Sequence, residues 1–109
     1  MYRIHRVFDN SSTVLIKIAG DVLDCDLVDW TGFLNLLGSW GNRDIILDFC
    51  EVAHISPLAL TVFVDRLSQN VRLINCSQTI KNALCSFGLA DRLLDGDTKN
   101  ESLKLRWPV

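Results

Sequence analysis

Four short stretches of the chain carry the apolar patterns of β-strands. Residues 2–8 and 13–19 alternate between apolar and polar side chains and are joined by the turn-forming run DNSS at 9–12, which predicts an antiparallel hairpin. Residues 45–50 and 71–76 are mostly apolar runs, the pattern of strands buried on both faces of a parallel sheet. The sequence therefore predicts a sheet that begins antiparallel and continues parallel.

The segments that follow these strands repeat apolar residues at the spacing of amphipathic helices. One helix is predicted from residue 24 or 26 to residue 40, a second after Ser56 and a third after Ser77, and serine is a residue that caps helices. Pro57 suits the first position of a helix. With one more helical turn at 89–94, the order β-β-α-β-α-β-α predicts a small α/β domain with a mixed sheet and about four helices.

The first helix carries more apolar surface than a single core stripe needs. The stripe at helical spacing is formed by Leu23, Leu27, Trp30, Leu34 and Leu37. A second row beside it consists of Phe33, Leu36 and Trp40. One interpretation is that the helix is wedged between the sheet and a neighbour. The other is that the second row forms part of a partner surface or of a homodimer interface.

The second helix shows an anomaly on its polar side. On a helical wheel, its core face is formed by Leu60, Phe63, Val64 and Leu67. Leu58 and Val62 fall nearly opposite, beside Asp65 and Gln69, where the side chains should be solvated. Two aliphatic residues at such positions indicate a candidate docking patch, although surfaces also tolerate small apolar patches that have no role.

Composition and charge narrow the class of protein. The 109 residues suit one domain, predicted over 1–95, followed by a tail at 96–109 whose residues 102–107 alternate and suit an added strand. A net charge of −2 without a basic cluster argues against nucleic-acid binding and against attachment to an anionic membrane. The longest apolar stretch, 57–64, is too short for membrane insertion, and with no signal peptide a cytoplasmic location is expected.

The four cysteines do not form a motif. Cys25, Cys50, Cys76 and Cys85 are too far apart in sequence for a CxxC pair or a zinc knuckle. Each lies within two residues of an apolar side chain, in surroundings where a free cysteine packs like a small hydrophobe. We therefore expect reduced thiols and no metal site.

The sequence gives little indication of a catalytic site. Asp48, His54 and Ser56 contain the side-chain types of a hydrolase triad, but no GxSxG elbow is present and Ser56 is better explained as a helix cap. A thiolate on Cys50 beside His54 would need an electropositive setting that the sequence does not reveal. A phosphoryl-accepting Asp48, as in response-regulator receivers, would need an acidic pair and a lysine that are missing. No Gly-rich phosphate loop occurs, so we expect no enzyme and no cofactor.

Three blocks of the sequence, in this order, resemble the STAS domain, the fold of bacterial anti-sigma factor antagonists. The turn GDVLD at 20–24, with the strand before it, resembles the family's G-x-L-D turn. The run DIILDFCEVAHISPLAL from residue 44 resembles the family's central strand and signature loop. The run VRLINCSQTIKNALCSFGLADRLL from residue 71 resembles the closing strand and helix and is the closest match of the three.

The resemblance implies a single STAS-like domain that binds proteins and is not an enzyme. In the family, the signature loop and the helix after it dock on a partner, typically a serine kinase that doubles as an anti-sigma factor. Phosphorylation of a serine at the helix start abolishes docking, because a phosphate brings nearly two negative charges into the interface. Related domains are accessory subunits of ABC transporters, including phospholipid-transport systems, and there the partner would be a transporter ATPase. Both partner classes remain open.

The signature loop of this chain departs from the family pattern. Ser56 occupies the place of the family's aspartate, Pro57 that of its first serine and Leu58 that of the serine that is phosphorylated. Ala59 replaces a glycine. Because neither Pro57 nor Leu58 can accept a phosphate and Ser56 is engaged as a cap, no phosphorylation of the loop is expected. The predicted partner-binding residues are Ser56, Pro57, Leu58, Ala59 and Val62.

Overall fold

The computed structural model of the protein describes residues 2–94. Its strands are β1 (Tyr2–Asp9), β2 (Thr13–Gly20), β3 (Asp44–Glu51) and β4 (Val71–Ile74). Its helices are α1 (Leu27–Gly38), α2 (Pro57–Arg66) and α3 (Gln78–Ser86), with 3-10 turns at Asp24–Asp26 and Ala90–Arg92. The predicted tail at 96–109, including the alternating run at 102–107, lies outside the described residues.

The sheet confirms the predicted α/β architecture. The strands lie in the order β1-β2-β3-β4, with β1 antiparallel to β2 and with the pairs β2–β3 and β3–β4 parallel. Right-handed crossovers that step in one direction across a sheet place their helices on the same face. Side chains of all three helices accordingly share one core with every second residue of the strands, including Ile16, Leu47 and Leu73.

Trp30 lies at the centre of this core. Its side chain is fully buried, and its ring meets Tyr2 edge-on at 5.2 Å between centroids and stacks on Phe63 at 5.9 Å. The indole N–H donates a hydrogen bond of 3.0 Å to the backbone carbonyl of Ala59. One residue thus joins β1, α1 and the first turn of α2.

The second apolar row of α1 is mostly covered. Phe33 is buried, while Trp40 is half-buried beneath the guanidinium groups of Arg6 and Arg43, which lie 5.0 and 5.7 Å from its ring. Leu36 alone of the three is exposed, at 50%. These positions support the interpretation that the row packs inside the protein.

All four cysteines lie within residues 2–94 and none forms a disulfide, but they do not share one environment. Cys76 is buried in the core as predicted, whereas Cys25, Cys50 and Cys85 are exposed. The expectation that every cysteine packs like a hydrophobe is therefore wrong for three of them. Cys25 lies between Asp24 and Asp26, and Cys50 and Cys85 each follow an apolar residue but are themselves at the surface.

The partly buried ring of Tyr2 predicts a loss of stability in alkali. Burial, followed by the charges of Asp29 and Asp26, raises the pKa of Tyr2 from its ordinary value of 10.0 to about 12. The folded chain therefore holds the phenolic proton more tightly than the unfolded chain. The resulting stabilisation is complete below about pH 10 and is lost as the pH rises to about 12.

Tyr2→Phe removes this titration. Between about pH 9 and about pH 12, the free energy of unfolding should fall by about 1 kcal/mol less in the variant than in the parent, after allowance for solvent screening of a phenol that is only partly buried. Urea unfolding at a series of pH values measures the difference. Parallel pH profiles for the two proteins would contradict the prediction.

Candidate protein-interaction site

The loop between β3 and α2 is held in place by the segment that follows β2. The backbone N–H of Val22 donates to the carbonyl of His54 at 3.1 Å, and the N–H of Ser56 donates to the carbonyl of Val22 at 2.8 Å. Val22 and Ile55 pair as a parallel bridge, and both side chains are buried. The loop is therefore an ordered edge at the carboxyl end of the parallel strands, where α/β folds commonly bind their ligands.

The start of α2 has the capping predicted from the sequence. Ser56 has an extended backbone, and its Oγ accepts a hydrogen bond of 3.1 Å from the N–H of Ala59. Pro57 follows as the first helical residue. The Ser56 side chain is only 7% exposed, so its hydroxyl is both engaged and largely shielded from solvent.

The predicted contact residues separate into accessible and buried members. Pro57 is exposed and Leu58 is 51% exposed, as expected for a docking edge. Ala59 is fully buried, so its side chain lies in the core rather than at the surface. Val62 is half-buried and packs against the main core, so it is less accessible than its predicted place on the solvated side implies, and its role in partner binding stays a prediction.

The rotation of α2 explains this division. Ala59 and Phe63, four residues apart, are both fully buried, so the inward face of the helix runs through these two positions. Val62, three residues after Ala59, borders that face, whereas Leu58 lies outside it. Of the predicted core face, Leu60 and Phe63 are buried while Val64 and Leu67 are half-buried, so the buried face is rotated toward Ala59, a small residue whose burial the hydrophobic pattern does not reveal.

An apolar groove lies beside the exposed edge. It has a volume of about 350 Å³ and is lined by loop residues 53–55, by Pro57 and Leu60 of α2, and by Thr79, Ile80 and Ala83 of α3. The sequence did not predict the contribution of α3, because only the packing of α3 beside α2 brings these residues to the loop. The feature of the sequence that could have indicated this side of the groove is the pair Thr79 and Ala83. These residues are four positions apart and lie beside the core residue Ile80 on α3.

The polar groups near the loop make structural hydrogen bonds. Oδ1 of Asp48 accepts from the N–H of Cys50 at 2.9 Å and from Nδ2 of Asn75 at 3.1 Å. Lys17 and Glu51 form an ion pair of 2.9 Å at the surface, and their hydrogen bond raises the pKa of Lys17 and lowers that of Glu51. The side chains of Asp48 and Ser56 accept hydrogen bonds from Cys50, Asn75 and Ala59, so these bonds do not join the three candidate triad residues.

Metal-binding and membrane-spanning features are not present in the part of the chain that the structure covers. Within residues 2–94, no group of three or more His, Cys, Asp or Glu side chains is placed to hold a metal ion. No helix in the same range has the length and apolarity needed to cross a bilayer.

Comparison with known proteins identifies the fold. No protein-family profile and no curated protein matches the chain. The solved structure of the anti-sigma factor antagonist SpoIIAA in its unphosphorylated form is similar at 16% identity and a TM-score of 0.66, with 100% of this chain and 99% of that chain covered.

Two further structures agree with this result. The Bacillus cell fate determinant SpoIIAA in its phosphorylated form has 16% identity and a TM-score of 0.65, covering 97% of this chain and 100% of that one. An anti-sigma factor antagonist from Mycobacterium paratuberculosis has 9% identity and a TM-score of 0.64, covering 84% of each chain. The chain therefore has the STAS fold of anti-sigma factor antagonists, as the resemblance implied.

Loss of the capping hydrogen bond at Ser56 should affect both the stability of the whole domain and the protection of one amide at the start of α2. Ser56→Ala should lower the free energy of unfolding by about 1 kcal/mol, because the N–H of Ala59 loses its partner. Ser77→Ala is the matched control, since Ser77 caps α3 through the N–H of Ile80 at 3.3 Å. Hydrogen exchange should quicken at Ala59 in the first variant and at Ile80 in the second. Unchanged protection of the Ala59 amide in Ser56→Ala would contradict the assignment.

Proposed function

We propose that this protein is a protein-interaction module of the anti-sigma-antagonist type, and not an enzyme. It docks on its partner through the first turn of α2 and the adjoining apolar groove. The observation that carries the proposal is Leu58, an aliphatic side chain 51% exposed at an ordered edge of a chain with this fold.

The geometry of the edge favours binding. The hydrogen bonds that hold the loop and the cap at Ser56 order the backbone before a partner arrives, which reduces the entropy lost on association. Leu58 and Pro57 present apolar surface to the partner. The groove beside them offers a concave site for an apolar side chain in return, the pairing that is common at the centre of interfaces.

The structural neighbours support one of the two partner classes. Solved structures similar to this chain are anti-sigma factor antagonists, which supports a partner of the serine kinase or anti-sigma type over a transporter ATPase. A kinase-type partner would contact a loop that lacks the usual phosphate-accepting serine. Pro57 and Leu58 lack hydroxyl groups, and the Ser56 hydroxyl caps α2, so docking in this module is not switched by a phosphate on the loop.

Leu58→Glu should abolish docking while the fold survives. A carboxylate at this position remains solvated in the free protein but would be buried against apolar surface in the complex, which should weaken binding about tenfold or more. Leu36→Glu on α1 is the matched control, because Leu36 is 50% exposed and also lies on a helix. The measurement is recovery of the native partner from extracts of the source organism by each immobilised protein.

The two variants separate docking from folding. The partner should bind the parent and Leu36→Glu but not Leu58→Glu, and all three proteins should show the same circular dichroism spectrum. Equal recovery of the partner by Leu58→Glu would place the interface elsewhere on the molecule.

The loop should carry no phosphate in the cell. Ser56 is 7% exposed, and its Oγ already accepts the hydrogen bond that starts α2. Mass spectrometry of the protein isolated from its source should therefore find residues 52–62 unmodified, at growth phases when a kinase-type partner is present. Stoichiometric phosphate on Ser56 would overturn this prediction.

A further inference from the structure

Val28, on the first turn of α1, is the most exposed of the large apolar side chains within residues 2–94. It is 87% exposed, compared with 51% for Leu58 on the proposed docking edge. A single exposed valine is common on protein surfaces and needs no explanation by itself. Its position relative to α2 shows that it belongs to a larger apolar surface.

Helices α1 and α2 lie side by side and run in the same direction. Near their amino ends, the indole N–H of Trp30 donates to the carbonyl of Ala59 at 3.0 Å. Near their carboxyl ends, Nη1 of Arg66 donates to Oδ1 of Asn35 at 3.0 Å. Because residue numbers rise together along the two helices, each level of α1 has a matching level on α2.

Each helix presents a row of side chains to the valley between them. On α2, Leu58, Val62 and Arg66 recur every four residues and therefore share one side of the helix, and the bond from Arg66 shows that this side borders α1. On α1, Val28 and Asn35 are seven residues apart, which is about two turns, so Val28 lies on the same side as Asn35 and borders α2.

Val28 and Leu58 lie at the same level of this valley, at its amino-terminal end. Val28 precedes Trp30 by two residues, and Leu58 precedes Ala59 by one. Val62, one turn after Leu58, is half-buried between the helices. The axes of packed helices are about 8–10 Å apart, so one apolar group in the valley can contact both rows. We call Val28, Leu58 and Val62 the valley patch.

The charged side chains near the valley patch are mostly acidic. The charged residues of α1, α2 and the 3-10 turn before α1 are four aspartates and one arginine: Asp24, Asp26, Asp29, Asp65 and Arg66. Asp24, Asp29 and Asp65 are exposed, whereas the guanidinium of Arg66 is engaged by Asn35. Asp65 is seven residues after Leu58 and therefore lies on the same side of α2.

We propose that the valley patch is a further part of the docking surface and receives a partner helix whose apolar stripe is flanked by lysine or arginine. This inference rests on the proposed function and adds α1 to the surface formed by α2 and the groove. An elongated apolar valley suits the apolar face of an amphipathic helix. The aspartates around it attract basic side chains to the rim, which accelerates association and sets the orientation of the partner.

The same charges argue against a second copy of this chain as the occupant. An isologous dimer through the valley patch would place the same surface on both sides of the interface. Asp24, Asp29 and Asp65 would then face the aspartates of the other copy, and like charges across an interface are costly.

A synthetic amphipathic helix of leucine and lysine is the probe for the apolar contact. Titrated into the isotope-labelled protein, it should cause saturable shifts of the amide resonances of Val28, Leu58 and Val62. Val28→Ala should weaken its affinity about fivefold, because the variant buries two carbon atoms fewer in the complex. Leu36→Ala is the matched control, since Leu36 is an exposed apolar residue of α1 outside the row that borders α2, and its affinity should equal that of the parent.

Charge variants test the basic flank of the partner. Asp65→Lys should weaken the lysine helix severalfold and reduce the dependence of its affinity on salt concentration. Asp44→Lys makes the same change of charge at the start of β3, at the opposite end of the parallel strands, and should leave the affinity close to that of the parent. A helix with glutamate in place of lysine should not bind.

The native partner separates this inference from the proposed function. Val28→Ala should weaken the purified partner by a factor similar to that seen with the lysine helix. Loss of the partner in Leu58→Glu together with full affinity in Val28→Ala would leave the proposed function standing and overturn the role of the valley patch. Equal binding of the lysine and glutamate helices, resonance shifts away from the valley patch, or no saturable binding of the lysine helix would also overturn it.

Discussion

The hydrogen bond from the Trp30 indole to the Ala59 carbonyl is the contact on which the arrangement of the helices depends. The ring is fully buried against Tyr2, Phe33 and Phe63, and a buried N–H without an acceptor would cost free energy. The carbonyl of Ala59 satisfies it. α2 therefore cannot rotate or slide along α1 without losing both the hydrogen bond and the stacking of Phe63.

The position of the proposed docking edge is a consequence of this constraint. With Ala59 and Phe63 turned inward, the residue before Ala59 is turned outward, and this residue is Leu58. The cap at Ser56 and the backbone hydrogen bonds to Val22 then order the loop that leads into the helix. An apolar side chain becomes a useful contact when its backbone is already ordered, because binding then costs little conformational entropy.

The sequence predicted that the parallel strands are buried on both faces, but not which face the helices cover. The runs at 45–50 and 71–76 predicted strands buried on both faces, and the burial of Ile45 and Ile46 agrees. The same pattern led to the mixed sheet and to the crossovers, because strand period and helix period are local properties. The strand pattern did not predict that all three helices lie on one face. That placement follows from the common direction of the crossovers across the sheet.

The sequence by itself determined the element order, the cap at Ser56 and the loss of the hydroxyl groups at Pro57 and Leu58, since each depends on residue type and near neighbours. Tertiary structure decided the rotation of α2, which buries Ala59 and half-buries Val62, and it decided the groove to which α3 contributes Ile80 and Ala83. Both features arise from contacts between segments far apart in the chain. A periodic pattern shows that a helix has a buried face, but only packing against its neighbours sets which residues lie at the border of that face.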